Sequence, residues 1–438
     1  MDIEIARISL KRLPEVLHMD RESMAGERLH ATLVVQHIGQ LVTMAQTPVA
    51  GAAGPLGAIE DGVLAAMGDR ILWVGRAADM NAAVDADGAA IIDAQGQVVT
   101  PGLVDSHTHL IFAGDRAAEF HLRHQGVSYA ELLAQGHGIL ATVRATRAAD
   151  AAMLRELGRA RLLSMRAHGT TTVEAKTGYG LDLRTEDRCL QVIAELGQEP
   201  GLPRIVPTFL GAHAIPHEYR DRRNDYVDQI VEEMLPAFVG RAYFCDVFCE
   251  SGAFTVDESR RILVRAKELG YRLKVHANQL GPSGGAALAA ELGAVSADHL
   301  DHVSDVELNA LRTAGVVGTL LPGCSFTLRA PYPSARRLRE HGLTVALASD
   351  FNPGTSYCEN LQMMLALALS AMEMELEEAL AAVTINGARA LALADEIGSL
   401  EPGKRCDVVI WRMHDYREFG YHFGVNLVDR VIIGGVVV

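Results

Sequence analysis

The sequence predicts an α/β protein: a (β/α)8 TIM-like barrel joined to a small composite β-sandwich built from both chain ends. Three observations carry this expectation. Eight short apolar runs alternate with helix-compatible stretches through the middle of the chain. Both ends instead carry short β-like pieces with turn residues beside them. Polar, metal-capable side chains follow most of the eight runs, at the strand ends where barrels build their active sites.

The runs are residues 99–104, 170–173, 205–209, 243–248, 273–275, 295–297, 316–321 and 345–348. Apolar runs of this kind suit parallel strands buried on both faces. The stretches between them, such as 153–167, 257–269 and 305–313, are rich in Ala, Leu, Glu and Arg and supply the crossover helices. Near the start, residues 63–67 and 71–75 flank Gly68-Asp69-Arg70 as a hairpin, and 91–93 and 96–99 continue the β texture. Residues 406–411 and 430–433 repeat that texture at the far end. Isolated hairpins are marginal in water, so the two ends are expected to share one domain. The division is then 1–32 as an N-terminal extension, 33–98 with 398–438 as the composite β-sandwich, and 99–397 as the barrel. The extension reads as mobile, or as sequence upstream of a later start at Met19 or Met24.

Composition narrows the function. Of 438 residues, 49% are hydrophobic and 22% charged, which excludes a disordered or low-complexity chain. Asp and Glu outnumber Lys and Arg by 55 to 40, a formal net charge of −15 that argues against nucleic acid as a partner. No apolar run approaches the roughly 20 residues that span a bilayer, so no membrane partner is expected. Met1–Arg7 lacks the basic start and apolar core of a secretion signal, so the expected compartment is the cytoplasm. The six cysteines include no C-x-x-C, which points to reduced, mostly buried thiols.

His107-x-His109 follows the first run, and on a strand residues two apart point the same way. Alone the pair is common. With His276 after the fifth run and Asp350 after the eighth, it becomes a ligand set for one divalent ion with an open position. Imidazole and carboxylate donors suit zinc, with non-haem iron or manganese as alternatives. Such an ion lowers the pKa of a bound water to about 7, so the constellation implies hydrolysis.

The run Pro101-Gly102-Leu103-Val104-Asp105-Ser106-His107-Thr108-His109, with His276 and Asp350, resembles the amidohydrolase superfamily. A more specific resemblance, from about Leu33 to the C-terminus, is to members that open the ring of 4-imidazolone-5-propanoate in histidine degradation. It is carried by Phe112-Ala113-Gly114-Asp115-Arg116, Lys176-Thr177-Gly178-Tyr179-Gly180-Leu181, Leu210-Gly211-Ala212-His213-Ala214 and Asp350-Phe351-Asn352-Pro353-Gly354-Thr355, among others. The resemblance implies one zinc or iron ion on His107, His109, His276 and Asp350. It implies a substrate site lined by Arg116, Tyr129, Tyr179, His213, Gln279, Asn352, Gly354 and Thr355. The product would be N-formimidoyl-L-glutamate, and a homodimer is the family's expected state.

An Arg fork and Tyr hydroxyls suit the carboxylate of this small anionic substrate. Blander readings exist for each residue: a surface ion pair for Arg116, packing for Tyr129 and Tyr179, a bare turn for 352–355. Gln279 stands where some members carry Glu and cannot act as a base, though it can hydrogen-bond the substrate ring. Proton transfer then falls to Asp350 or His299. Lys176 reads as a positioning or ion-pair lysine rather than a bridge between two metals. The alternatives are another cyclic-amide hydrolase or an aminoazole deaminase on the same scaffold, or a non-catalytic scaffold. The last would be expected to show a damaged ligand set, and all four ligands are present.

Overall fold

The computed structural model describes residues 28–127, 131 and 137–438. Eight parallel strands pair in chain order: Leu103–Asp105, Thr170–Lys176, Arg204–Ala212, Phe244–Cys249, Arg272–Ala277, Ser296–His299, Val317–Leu320 and Val345–Leu347. Strands one and eight meet just beyond their ends. Asp350 N–H donates to His107 O at 3.1 Å and His109 N–H to Phe351 O at 2.9 Å, so the seam is stitched at the rim. The helices expected between the strands form at Ala151–Ala167, Val256–Glu268 and Asp305–Ala314. Thr255 with Glu258, and Ser304 with Glu307, form reciprocal capping boxes that satisfy the first free N–H groups of the latter two.

A second, mixed sheet draws on both chain ends. Its order is Val436–Val437, Val428–Ile433, Val408–Trp411, Val98–Pro101, Leu33–Val42, Ala58–Met67 and Arg70–Arg76, with Ala90–Asp93 also pairing Leu33–Val42. The hairpin buries alternate residues on its two faces: Val35, Leu64 and Ala66 join Ile410 and Ile432 in one cluster, while Val34, Val63 and Ala65 join another. Trp411 is fully buried, and its indole N–H donates to Thr100 Oγ at 2.9 Å, tying the two ends together.

Two expected boundaries move. The run 99–104 is divided: Val98–Pro101 pairs with Val408–Trp411 in the outer sheet, and only Leu103–Asp105 enters the barrel. Gly102 is the pivot, since a Cβ there would lie 2.1 Å from Thr171 Oγ1. In the proposed extension, Leu29–His30 already pairs with Val84–Asp85. The remainder of that reading, residues 1–27, lies outside the described residues. All six cysteines are free and five are buried, as expected of reduced thiols. Among the described residues no helix is long and apolar enough to cross a membrane.

Candidate metal centre and active site

His107, His109, His276 and Asp350 come together at the C-terminal rim, all buried. His107 Nε2 lies 3.4 Å and His109 Nε2 3.5 Å from Asp350 Oδ1, and His276 Nε2 lies 3.4 Å from His109 Nε2. Asp350 takes a left-handed backbone conformation (φ +48°), as does His299 (φ +77°). Such conformations are uncommon outside glycine and cluster at functional sites. Here they accompany sharp turns of the chain at the strand ends.

The opposite edges of two rings settle which nitrogens face the centre. His107 Nδ1 lies 2.6 Å from Asp298 Oδ2, and His276 Nδ1 lies 2.9 Å from Asp246 Oδ2. A carboxylate accepts, so His107 Nδ1 carries the proton and its Nε2 presents a lone pair; the His276 contact is close but lies outside hydrogen-bond geometry. His107 Nε2 makes no hydrogen bond although it is buried. Burial and the neighbouring Lys176 and His276 charges hold the His107 imidazole well below its usual pKa, and burial with His276 and Lys176 does the same for His109. Burial opposes ionisation of Asp350, but the adjacent His107 ring, with His299 and His276 around it, keeps it below the usual carboxylate range. Neutral imidazoles and an ionised carboxylate are the ligand forms, and the donor set fits a divalent ion.

Beneath this centre the barrel holds fully buried charges. Lys176 Nζ lies 2.7 Å from Asp246 Oδ2, 2.9 Å from Glu174 Oε2 and 3.8 Å from Asp298 Oδ2. Lys274 Nζ lies 3.1 Å from Glu174 Oε2 and 3.6 Å from Asp298 Oδ2, and donates to Ser106 O at 2.7 Å. Burial would raise the Asp298 carboxyl, but Lys274 and Lys176 outweigh it; for Asp246, His276 and Lys176 do the same. The two carboxylates that orient metal-facing imidazoles are therefore kept ionised by buried ammonium groups. Lys176 takes the ion-pair role expected of it. Ser106 is buried with no hydrogen bond from its hydroxyl, a packing position.

His299 sits against the same centre, its ring 5.6 Å from that of His107 and 5.3 Å from that of His276. Burial lowers its pKa to about 3, so it is a neutral imidazole. His213 stacks on His109 at 4.8 Å with a 17° interplanar angle. Its Nδ1 donates to Gly178 O at 2.9 Å, which leaves Nε2 as an acceptor. Tyr179 is buried between His213 and Phe112.

Arg116 lies where the loop after strand eight reaches it. Its Nε donates to Glu119 at 2.8 Å and its Nη2 bonds the same carboxylate, leaving Nη1 against Gly354. Glu119 is buried and also accepts from Gly138 N–H at 2.8 Å, so it fixes the guanidinium plane. The Asn352 amide is engaged within its own turn, donating to Asp350 O at 2.6 Å and accepting from Gly354 and Thr355 N–H at 2.8 Å. That turn thus runs from a metal-capable carboxylate to the Arg116 fork within five residues. Gln279 is partly exposed, and its Nε2 donates to Cys324 Sγ at 3.4 Å. Tyr129 lies outside the described residues.

A cavity of about 550 Å³ opens beside this loop, lined in part by Arg116, Phe120, Phe326, Gly354 and Thr355. A cavity of about 510 Å³ lies at the opposite end of the barrel, under Arg272, Val295 and Val317, away from the metal-capable clusters. A Cβ on Gly354 would lie 2.2 Å from Arg116 Nη1, the far end of a flexible side chain. Gly354→Ala is therefore expected to fold normally and push the guanidinium aside. Loss of one charge-assisted bond, about 1.5–3 kcal/mol, corresponds to a rise in KM of roughly 10–100-fold for a carboxylate-bearing substrate. Steady-state kinetics would check this; an unchanged KM would remove Arg116 from the substrate site.

The sequence reading passed over Asp246 and Lys274 as functional positions, and Glu119 and Cys324 altogether. Asp246 and Lys274 had a signal, since each is a charged residue inside a barrel strand. Lys274 stands two residues before His276 and so shares its inward face. Glu119 stands three residues after Arg116 at the start of a helix, the spacing of a local ion pair. Cys324, after strand seven, had no comparable mark.

Residues 98–438 match the model of the amidohydrolase family, and the chain belongs to that family. Imidazolonepropionase from Symbiobacterium thermophilum is 51% identical over 92% of this chain and 96% of its own length. The imidazolonepropionase of Herpetosiphon aurantiacus is 46% identical over 93% and 97%. The chain is a member of the imidazolonepropionase family. Among solved structures, an adenosine deaminase from Xanthomonas campestris with bound zinc superposes with TM-score 0.68 at 19% identity, over 94% of this chain and 93% of the other. Atrazine chlorohydrolase from Arthrobacter aurescens, complexed with zinc, gives 0.66 at 18% identity over 92% and 94%. At that identity the likeness is one of fold.

Proposed function

We propose that this chain hydrolyses 4-imidazolone-5-propanoate to N-formimidoyl-L-glutamate, using one zinc or iron ion held by His107, His109, His276 and Asp350. The observation that supports the proposal is the convergence of the buried His107 and His109 Nε2 atoms on Asp350 Oδ1, with His276 Nε2 beside His109 and the His107 ring held from behind by Asp298 through Nδ1. A divalent ion bound there supplies Lewis acidity toward the ring carbonyl and acidifies water to a pKa of about 7.

The chain's own residues account for the rest. Asp350 accepts a proton from the attacking water and returns it to the departing ring nitrogen. The water oxygen bonds to the carbonyl carbon as the C=O electron pair moves to oxygen, and that pair's return breaks the bond from this carbon to the ring nitrogen. His299, neutral in its buried setting, donates a hydrogen bond to the developing oxyanion. Arg116, which lines the cavity with Nη1 toward Gly354, holds the propanoate carboxylate, and the Asn352–Thr355 turn sets its distance from Asp350. His213 Nε2, an acceptor, takes a ring N–H. Gln279 and Tyr179 complete the wall around the ring; Gln279 takes no proton.

Turnover of 4-imidazolone-5-propanoate, compared with its decarboxylated analogue and with metal quantified in the same sample, tests the reading. The expected result is a specificity constant at least tenfold higher for the carboxylate-bearing ring, since one charged hydrogen bond is worth about 1.5–3 kcal/mol. Equal constants would argue for a different substrate.

A further inference from the structure

We propose a second cation site beside the first, formed by His299, Cys324 and Asp350, that takes thiophilic divalent ions and inhibits the enzyme when filled. A ring nitrogen of His299, the Sγ of Cys324 and a carboxylate oxygen of Asp350 all lie within 4.8 Å of one another. The three residues are between 2% and 4% exposed. His299 Nδ1 is buried without a hydrogen-bond partner, so one nitrogen of this ring is unsatisfied. The Gln279 amide donates to Cys324 Sγ at 3.4 Å, while burial and the Asp350 carboxylate push the thiol up.

Asp350 has capacity for two ions. Its Oδ1 faces His107 and His109, at 3.4 and 3.5 Å, and a carboxylate has a second oxygen to offer. A carboxylate offers about four lone-pair sites on its two oxygens, enough for both. The two sites differ in softness. The first offers three nitrogens and one oxygen; the second replaces two of those donors with a single sulfur, which selects cadmium, mercury or excess zinc over harder ions. Binding exchanges the thiol proton for the metal and releases that proton to solvent. A filled site ties up His299 and Asp350, and inhibition follows from the roles given to them above. That part rests on the proposed function; the site itself rests only on its donor set.

The as-isolated holoenzyme, titrated with cadmium and desalted, would be analysed for total metal per chain and for ultraviolet sulfur-to-cadmium charge-transfer absorption. The expected result is one added equivalent with the resident ion retained, a charge-transfer band, and loss of turnover as that equivalent binds. In Cys324→Ser and Cys324→Ala the band and the added equivalent should both be lost while the resident ion stays. A wild-type enzyme that takes up no added equivalent, or merely exchanges its resident ion, would overturn the proposal. So would a band that persists in both variants, because the sulfur would then be another cysteine. An added equivalent with the band in a protein that never turns over 4-imidazolone-5-propanoate would uphold the site and fail the proposed reaction instead.

Discussion

Asp350→Asn is expected to lower kcat per bound metal ion by at least about 10³-fold while leaving the barrel folded. General acid–base transfer by a positioned carboxylate contributes roughly 10²–10⁴-fold, and loss of a ligand charge adds to it. Asn keeps the shape and the backbone stitch, in which Asp350 N–H donates to His107 O, but has no site for a proton in the working range. Steady-state rates normalised to metal content separate this loss from simple metal depletion. Near-normal turnover per bound ion in a folded variant would show that another group moves the proton, with His299 the next to test.

Lys176→Met is expected to produce a loss of a different kind. The lysine is fully buried and touches both Asp246 and Asp298, the carboxylates that hold His276 and His107 by their Nδ1 atoms. Without it, Glu174 and Asp298 keep Lys274, and Asp246 keeps its contact with the His276 ring. Breaking a buried charge cluster at one partner costs roughly 3–5 kcal/mol, because it leaves uncompensated charge in the interior. Part of that cost is relieved if Asp246 or Asp298 takes up a proton, but a protonated acid orients an imidazole poorly. Loss of such outer partners typically weakens metal binding about 10–100-fold. Urea denaturation and chelator competition would measure the two effects separately. A variant that loses stability but binds its ion as tightly as before would confine Lys176 to a structural role.

Much of this centre was legible in the sequence because its signals are local. His107-x-His109 lies on one strand face by simple alternation, and His276 and Asp350 each follow an apolar run, which is where a barrel gathers its rim. The eight-stranded order followed from the same runs. The partnerships were less legible, because Asp246 with His276 and Asp298 with His107 pair across strands far apart in sequence. Lys274 looks like a surface charge until its strand is known to bury both faces. The split of 99–104 between two sheets was hidden for a related reason. An apolar run does not mark where the chain changes partner, and only Gly102, where a side chain would collide with Thr171, records the crossing. The Arg116–Glu119 pair was within reach at helical spacing.

Anomalous diffraction from crystals of the enzyme as isolated, collected at the absorption edges of zinc and iron, would locate and identify the bound ion. One strong peak is expected about 2.0–2.2 Å from the Nε2 atoms of His107, His109 and His276 and from an Asp350 carboxylate oxygen. A fully metallated sample with its peak elsewhere, or with these four side chains turned away from a common point, would contradict this ligand set.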